Sequence, residues 1–271
     1  MNENNKIWNF PAGEVGIEYF KEDTSKYHLK LENGTSDQIV KVLLQANAIR
    51  HQDPSAEIHL LSPYVPYGRQ DRVSAPGTSF SLEVFAQIIG TGNFSSITIV
   101  DPHSLVTIYE LKKYISDICA YHASDFMDPA ILDSIERYSD YGKADIVVLA
   151  PDKGAVLRAE ECADVLGINE VHFAEKVRDP ATGEIKGIVA PTIKNNHHVL
   201  VIDDICDGGR TFIELAKAID HCASKTLFVT HGIFSKGVDI VLEHYNSIWT
   251  TDSFKQGSRV KVIPLNKHFN W

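Results

Sequence analysis

Cysteine is scarce in this 271-residue chain, and Cys119, Cys162, Cys206 and Cys222 are widely scattered with no C-x-x-C pair. A disulfide framework, a zinc knuckle and a redox pair therefore find no support, and reduced thiols in a cytoplasm are expected. No apolar run approaches the roughly 18 residues of a membrane span. The opening Met1-Asn2-Glu3-Asn4-Asn5-Lys6 has no basic stretch followed by an apolar one, so a soluble, unexported, cytoplasmic protein without a membrane partner is expected. Positive charge is in deficit as well: 26 Lys plus Arg against 36 Asp plus Glu leave a formal net charge of -10. That balance argues against a broad nucleic-acid surface, although a local cluster of cations would suffice for a small anion. No G-x-x-x-x-G-K-[ST] occurs. Gly90-Thr91-Gly92 follows a helical stretch and precedes a strand, the reverse of a dinucleotide fingerprint, and reads as a helix stop. Low-complexity tracts and short repeats are missing too.

What is present is a globular composition, 44% hydrophobic, at a length that suits two domains. From about Ile58 onward, β-branched apolar runs alternate with segments of helical period. Ile97-Thr98-Ile99-Val100, Ile146-Val147-Val148-Leu149, Val199-Leu200-Val201-Ile202 and Thr226-Leu227-Phe228-Val229 read as strands buried on both faces of a parallel sheet. Helices are expected at 81–89, 105–114, 129–138, 156–166, 211–222 and 238–244. The class is α/β, in two similar halves, 1–140 and 141–271, joined by the polar stretch 137–143, with the last ~20 residues packing on the first half. The segment 178–184, rich in Pro, Gly and charge, reads as an exposed, mobile loop or hairpin tip.

The stretch Val199-Leu200-Val201-Ile202-Asp203-Asp204-Ile205-Cys206-Asp207-Gly208-Gly209-Arg210-Thr211 carries the strongest chemistry. A buried strand runs into acids and a glycine turn, and a helix begins at once. Free N–H groups at such a start can cradle a phosphate, while carboxylates suit ribose hydroxyls or a metal ion. Ligands of open α/β sheets collect beyond the carboxyl ends of the strands, where this loop must lie. Arg69 and Arg72 follow another strand, where forked guanidinium groups can grip phosphate oxygens, with Gln70 and Asp71 available for polar atoms of a nucleotide. His103 and Asp152 also follow strands, and Asp152 is a hard ligand suited to magnesium.

Taken in order, Tyr64-Val65-Pro66-Tyr67-Gly68-Arg69-Gln70-Asp71-Arg72, Asp101-Pro102-His103-Ser104, Ala150-Pro151-Asp152-Lys153-Gly154-Ala155-Val156-Leu157-Arg158-Ala159, Lys176-Val177-Arg178 and Thr230-His231-Gly232-Ile233-Phe234-Ser235 resemble the signatures of the ribose-phosphate pyrophosphokinase family. The resemblance spans roughly Phe10 to Asp252 and implies two phosphoribosyltransferase-like domains. It also implies magnesium-dependent transfer of the pyrophosphoryl unit of ATP to the anomeric hydroxyl of ribose 5-phosphate, releasing AMP. In its terms Phe10, Glu14, Arg69, Gln70, Asp71, Arg72 and His103 face ATP, and His103 and Asp152 serve the metal. Asp203, Asp204, Asp207, Gly208, Gly209, Arg210 and Thr211 take the ribose phosphate, and Lys176 with Arg178 close over the moving phosphoryl group. A homo-oligomer is expected.

Some positions depart from the pattern. In Phe10-Pro11-Ala12-Gly13-Glu14, Ala12 stands where the family has Asp or Asn, which leaves base preference open. The N-terminal portion is short and the usual closing helix is not seen. Gly208-Gly209-Arg210 replaces Thr-Ala-Gly or Thr-Gly-Gly, which makes room for a larger acceptor such as ADP-ribose. Rival readings are a catalytically silent regulatory homologue and a phosphoribosyltransferase that consumes phosphoribosyl pyrophosphate; the latter leaves Tyr67 to Arg72 unexplained.

Overall fold

The computed structural model describes residues 6–19, 24–136, 145–178 and 185–269, the side chains of Glu136, Lys176, Val177, Arg178, Ile185 and Lys186 excepted. Two compact units result, one through Tyr121 and one from His122.

The first unit opens with a hairpin, β1 (Lys6–Asn9) antiparallel to β2 (Val15–Glu18). Then come β3 (Lys26–Lys30), α1 (Ser36–Gln52), β4 (Glu57–Ser62), α2 (Ser81–Gly90), β5 (Ser96–Val100), α3 (Leu105–Lys112) and β6 (Ile118–Tyr121). Its parallel sheet has the order β3-β4-β5-β6, the order of the chain itself. Ile39, Val42, Ala46 and Ile49 line the buried side of α1 at helical spacing and enter one core with Ile58, Leu60, Ile97 and Ile99. This helix and β1 to β3 were not foreseen, although the spacing was the available signal. Gly90 is the last residue of α2, and its lack of a Cβ lets Tyr114 pack there, since an added Cβ would lie 2.6 Å from that of Tyr114.

The second unit contains α4 (Ala130–Glu136), β7 (Ile146–Ala150), α5 (Val156–Leu166), β8 (Val171–Phe173), β9 (Glu175–Arg178), β10 (Ile185–Val189), β11 (His198–Cys206), α6 (Arg210–Ala218), β12 (Ser224–Gly232), α7 (Asp239–Leu242), β13 (Ser247–Thr251) and β14 (Lys261–Ile263). Its six-stranded parallel sheet runs β14-β13-β12-β11-β7-β8, with β9 and β10 as a separate antiparallel hairpin. The apolar runs of β7, β11 and β12 are buried because helices cover the sheet. Gly167 at φ 70 closes α5 in the left-handed region, where glycine carries no Cβ penalty.

The two units part before His122, and the indole of Trp249 in β13 donates to Ser134 Oγ of α4 at 3.2 Å, which ties that helix to the second sheet. The final described residues stay with the second unit: β14 pairs with β13, and His268 meets Phe126 edge-on at 4.9 Å. The polar stretch 137–143 and the hairpin tip 179–184 lie outside the described residues. Among the described residues no helix is long and apolar enough to cross a membrane.

Leu200 sits fully buried in the middle of β11. Leu200→Ala is expected to lower the free energy of unfolding by about 3 kcal/mol through lost burial and the cavity left behind, measured by urea denaturation followed by circular dichroism.

Candidate functional site

Parallel strands deliver their carboxyl ends to one edge, so loops that follow neighbouring strands meet. In the first unit β4 and β5 are neighbours, which brings Arg69, Gln70, Asp71 and Arg72 beside His103. Ser104 Oγ donates to Asp71 at 2.8 Å, Ser81 Oγ to the Gln70 amide oxygen at 2.5 Å, and a Cβ on Gly68 would lie 3.7 Å from that of His103. Asp71 and Gln70 are thereby fixed, while Arg69, Arg72 and His103 stay exposed. Phe10 and Glu14 belong to the separate β1–β2 hairpin, where the Phe10 N–H donates to the Glu14 carbonyl at 2.8 Å and Gly13 turns the chain at φ 101.

In the second unit the strand order reverses between β7 and β11: from β7 the chain goes out to β8 and returns to β11 on the other side. Such a reversal opens a crevice at the carboxyl edge. Asp152 follows β7 and its carboxylate accepts the Gly154 N–H at 2.9 Å, capping the turn that leads into α5. Across the crevice stand Asp203 and Asp204. The expected strand is longer than its apolar run, since β11 continues to Cys206 and carries both acids within it.

These carboxyls are largely shielded from water, the Asp203 and Asp204 side chains being 18% and 5% exposed, and Arg158 of α5 lies 3.7 Å from Asp203 and 4.0 Å from Asp204. Burial pushes the Asp203 carboxyl well above its usual range, the Asp204 charge pushes the same way, and Arg158 opposes both. Burial also pushes the Cys206 thiol up to about 12, reinforced by Asp203 and Asp207, so it is no nucleophile at neutral pH. Two close carboxyls backed by one guanidinium form a receptor for a pair of hydroxyl groups, each of which can donate into them.

Asp207, Gly208 and Gly209 then turn the chain into α6, with Arg210 and Thr211 at its start. Gly209 is the helix N-cap, at φ 77, and a Cβ there would be 2.7 Å from Val241 Cγ2, so glycine is required. The loop after β12 braces this turn: Ile233 and Phe234 N–H both donate to the Cys206 carbonyl, at 2.9 and 3.0 Å, and Ser235 N–H to the Asp207 carbonyl at 3.1 Å. His231 in the same motif is structural, buried with Nδ1 3.0 Å from Ser253 Oγ.

Lys176 and Arg178 lie in β9, paired across the hairpin with Ile188 and Ile185. The site is tied to that strand by Lys153 beside Asp152, whose ammonium is 3.3 Å from Glu175. Two residues escaped selection from the motifs. Arg158 lies within the Asp152 motif, in the first turn of α5 six residues after Asp152, and that position was the available signal. Lys236, whose side chain lies over Gly208, follows the last motif and has no sequence signature. Among the described residues, three of the four non-glycine residues with positive φ, Tyr67 at 61, Asp101 at 38 and Phe234 at 47, occupy these loops. Such conformations cost about 1–3 kcal/mol each and cluster where function holds them.

Comparison with known proteins agrees with the geometry. Residues 130–239 match the family described as the phosphoribosyl transferase domain. A ribose-phosphate pyrophosphokinase of Pyrococcus abyssi is 27% identical over 96% of this chain and 88% of its own. One from Thermococcus kodakarensis is 28% identical over 93% and 90%. The chain is thus similar, over nearly all of its length, to proteins named ribose-phosphate pyrophosphokinase. A crystal structure of phosphoribosylpyrophosphate synthetase from Mycobacterium smegmatis superposes with a TM-score of 0.77 at 20% identity, covering 97% of this chain and 87% of the other, which shows the shared α/β fold.

Because its folded-state pKa is raised, the Asp203 contribution to stability is fully present below the ordinary carboxylate range and is lost as pH climbs through the raised value. Asp203→Asn keeps an acceptor for the Asp204 N–H, now 2.9 Å away, and is expected to raise the unfolding midpoint at pH 7 by about 2–4 °C. Calorimetry should show this gain disappearing toward pH 4.

Proposed function

We propose that this protein transfers the β,γ-pyrophosphoryl unit of ATP to the anomeric hydroxyl of ribose 5-phosphate, giving phosphoribosyl pyrophosphate and AMP in the cytoplasm. The observation that carries this reading is the β11 loop: two buried carboxyls backed by Arg158, then a two-glycine turn into a helix, beside Asp152 at the reversal of strand order. That is a receptor for a ribose at one end and a phosphate at the other. The relatives named ribose-phosphate pyrophosphokinase supply the reaction class.

In this reading Asp203 and Asp204 accept hydrogen bonds from the ribose hydroxyls. The 5-phosphate sits on Asp207 to Thr211, where the first N–H groups of α6 have no helical partner. Arg69 and Arg72 hold the nucleotide phosphates, Gln70 and Asp71 its polar atoms, and Phe10 and Glu14 the base side. Lys176 and Arg178 neutralise charge developing on the transferred group. In-line displacement at phosphorus needs alignment and charge neutralisation rather than a covalent intermediate, which fits a site whose one thiol is held protonated.

Among the described residues no three His, Cys, Asp or Glu side chains converge as a metal cage. Magnesium does not require one, because it keeps waters and substrate phosphate oxygens around one or two protein carboxylates. Asp152 is the residue of the second unit that would hold it, His103 the candidate of the first, and bound magnesium would supply charge neutralisation on the phosphate oxygens. A homo-oligomer is supported by the exposed Ile7, Trp8 and Phe10 of the first hairpin.

A second reading keeps the donor and enlarges the acceptor to one such as ADP-ribose, favoured by Gly208 and Gly209 offering no side chains and Arg210 an exposed cation. Incubation with ATP, magnesium and each acceptor, with products identified by mass spectrometry, decides between them. AMP with phosphoribosyl pyrophosphate is expected. AMP with only the ADP-ribose product moves the assignment to the second reading, and no AMP with either leaves a silent homologue. Lys176→Ala and Arg178→Ala should each lower kcat by on the order of 10²–10³, read as AMP release under saturating substrates.

A further inference from the structure

The two glycines of the phosphate loop are there for different reasons. Gly209 is imposed by its left-handed backbone and by Val241. Gly208 meets no such demand: the atoms nearest to a Cβ there belong to the side chain of Lys236, with Cδ and Cε both at 3.6 Å, an ordinary van der Waals distance. The missing side chain therefore leaves the strip of surface along which the Lys236 stem runs.

The loop that carries Lys236 is fixed rather than trailing. Three N–H donations from Ile233, Phe234 and Ser235 anchor it to Cys206 and Asp207, and Gly237 N–H returns to the Phe234 carbonyl at 2.8 Å, with Gly237 at φ 86. Lys236 is exposed, and among the described residues it has no ion-pair partner. Asp239, the acid that follows it in the chain, is held by Arg259 at 2.6 Å. Arg210 at the start of α6 is a second exposed cation on the same turn, and Asp207 is the acid within it. A lysine whose stem lies over a residue without a side chain, with its ammonium in water, can reach an anion without first leaving another ion-pair partner.

We propose that Lys236 is a specificity-determining residue for the acceptor, its ammonium completing the phosphate loop over Gly208 and selecting ribosides that carry a phosphoryl group at the 5 position over neutral ones. This deepens, and rests on, the reading of the β11 loop as the ribose-phosphate site. The phosphoryl group is shared by ribose 5-phosphate and ADP-ribose, so both belong to the test.

The experiment uses the full chain and its Lys236→Ala and Lys236→Arg variants. Calorimetric titration with ribose 5-phosphate or ADP-ribose alone measures binding, and AMP release with either acceptor varied, then with ATP varied, measures turnover. Loss of one charge-assisted contact is expected to weaken acceptor binding and raise acceptor KM about tenfold in Lys236→Ala, with the change falling on acceptor KM rather than on the KM for ATP. Lys236→Arg should recover most of it, and an unchanged thermal midpoint would separate a lost contact from a lost fold. Equal acceptor affinity in wild type and Lys236→Ala overturns the assignment of Lys236 while leaving pyrophosphoryl transfer standing. Binding that depends on Lys236 without AMP release overturns the activity and keeps the residue. An equal rise in the KM for ATP, or no binding of either acceptor to the wild type, also sinks the proposal.

Discussion

The pairing of β11 in parallel with β7 on one side and β12 on the other is the constraint from which the second unit's site follows. Three parallel neighbours must end at the same edge, so the turns after Ala150, Cys206 and Gly232 are brought side by side whatever their sequences. The strand itself is apolar and buried up to Ile202, and that run fixes the register. With the register fixed, Asp203 and Asp204 have nowhere to go but the crevice. Their burial is a consequence of the sheet continuing beyond its hydrophobic stretch.

That placement carries a cost. A carboxyl beside another carboxyl in a shielded position is unfavourable, and Arg158 offsets the repulsion only in part, since the net effect on Asp203 is still upward. Strained backbone at Tyr67, Asp101 and Phe234 adds to it. Such costs are tolerated where the surrounding hydrogen bonds over-determine the conformation: Asp101 N–H is held by the Tyr121 carbonyl at 2.7 Å and Phe234 N–H by Cys206. The cores beneath, built from fully buried residues such as Leu60, Ile97, Leu200 and Val201, provide the stability against which that strain is set.

Much of this was legible in the sequence because the relevant signals are local. Continuous β-branched runs marked β5, β7, β11 and β12, and helix α5 was delimited at both ends, since Asp152 and Gly167 punctuate it. The carboxylates and glycines of 203–209 were read as a site because strand, acids, glycine and helix succeed one another without a gap. What escaped reading is non-local. The Arg158 contact with Asp203 depends on α5 packing against β11, and Lys236 over Gly208 depends on a loop more than twenty residues away folding back. Helix α1 was missed for another reason: its buried side is a narrow line of Ile39, Val42, Ala46 and Ile49 interrupted by polar and exposed apolar positions. The indole hydrogen bond from Trp249 to Ser134 is non-local in the same way as the Arg158 contact, joining residues far apart in the chain.

The two sheets differ in how their strands are ordered, and that difference sets how each binding loop can change. The second sheet reverses its order and gains its crevice from topology, so its glycine turn can be short, and Gly209 is locked by Val241. The first sheet runs β3-β4-β5-β6 without reversal, and its loop is instead a long excursion from Ser62 to Ser81 pinned by single side chains such as Ser104 on Asp71. Substitutions between those two serines can reshape what is held there without disturbing a strand. Variation within this architecture is therefore channelled toward the long loop of the first unit, while the turn at Gly209 admits almost none.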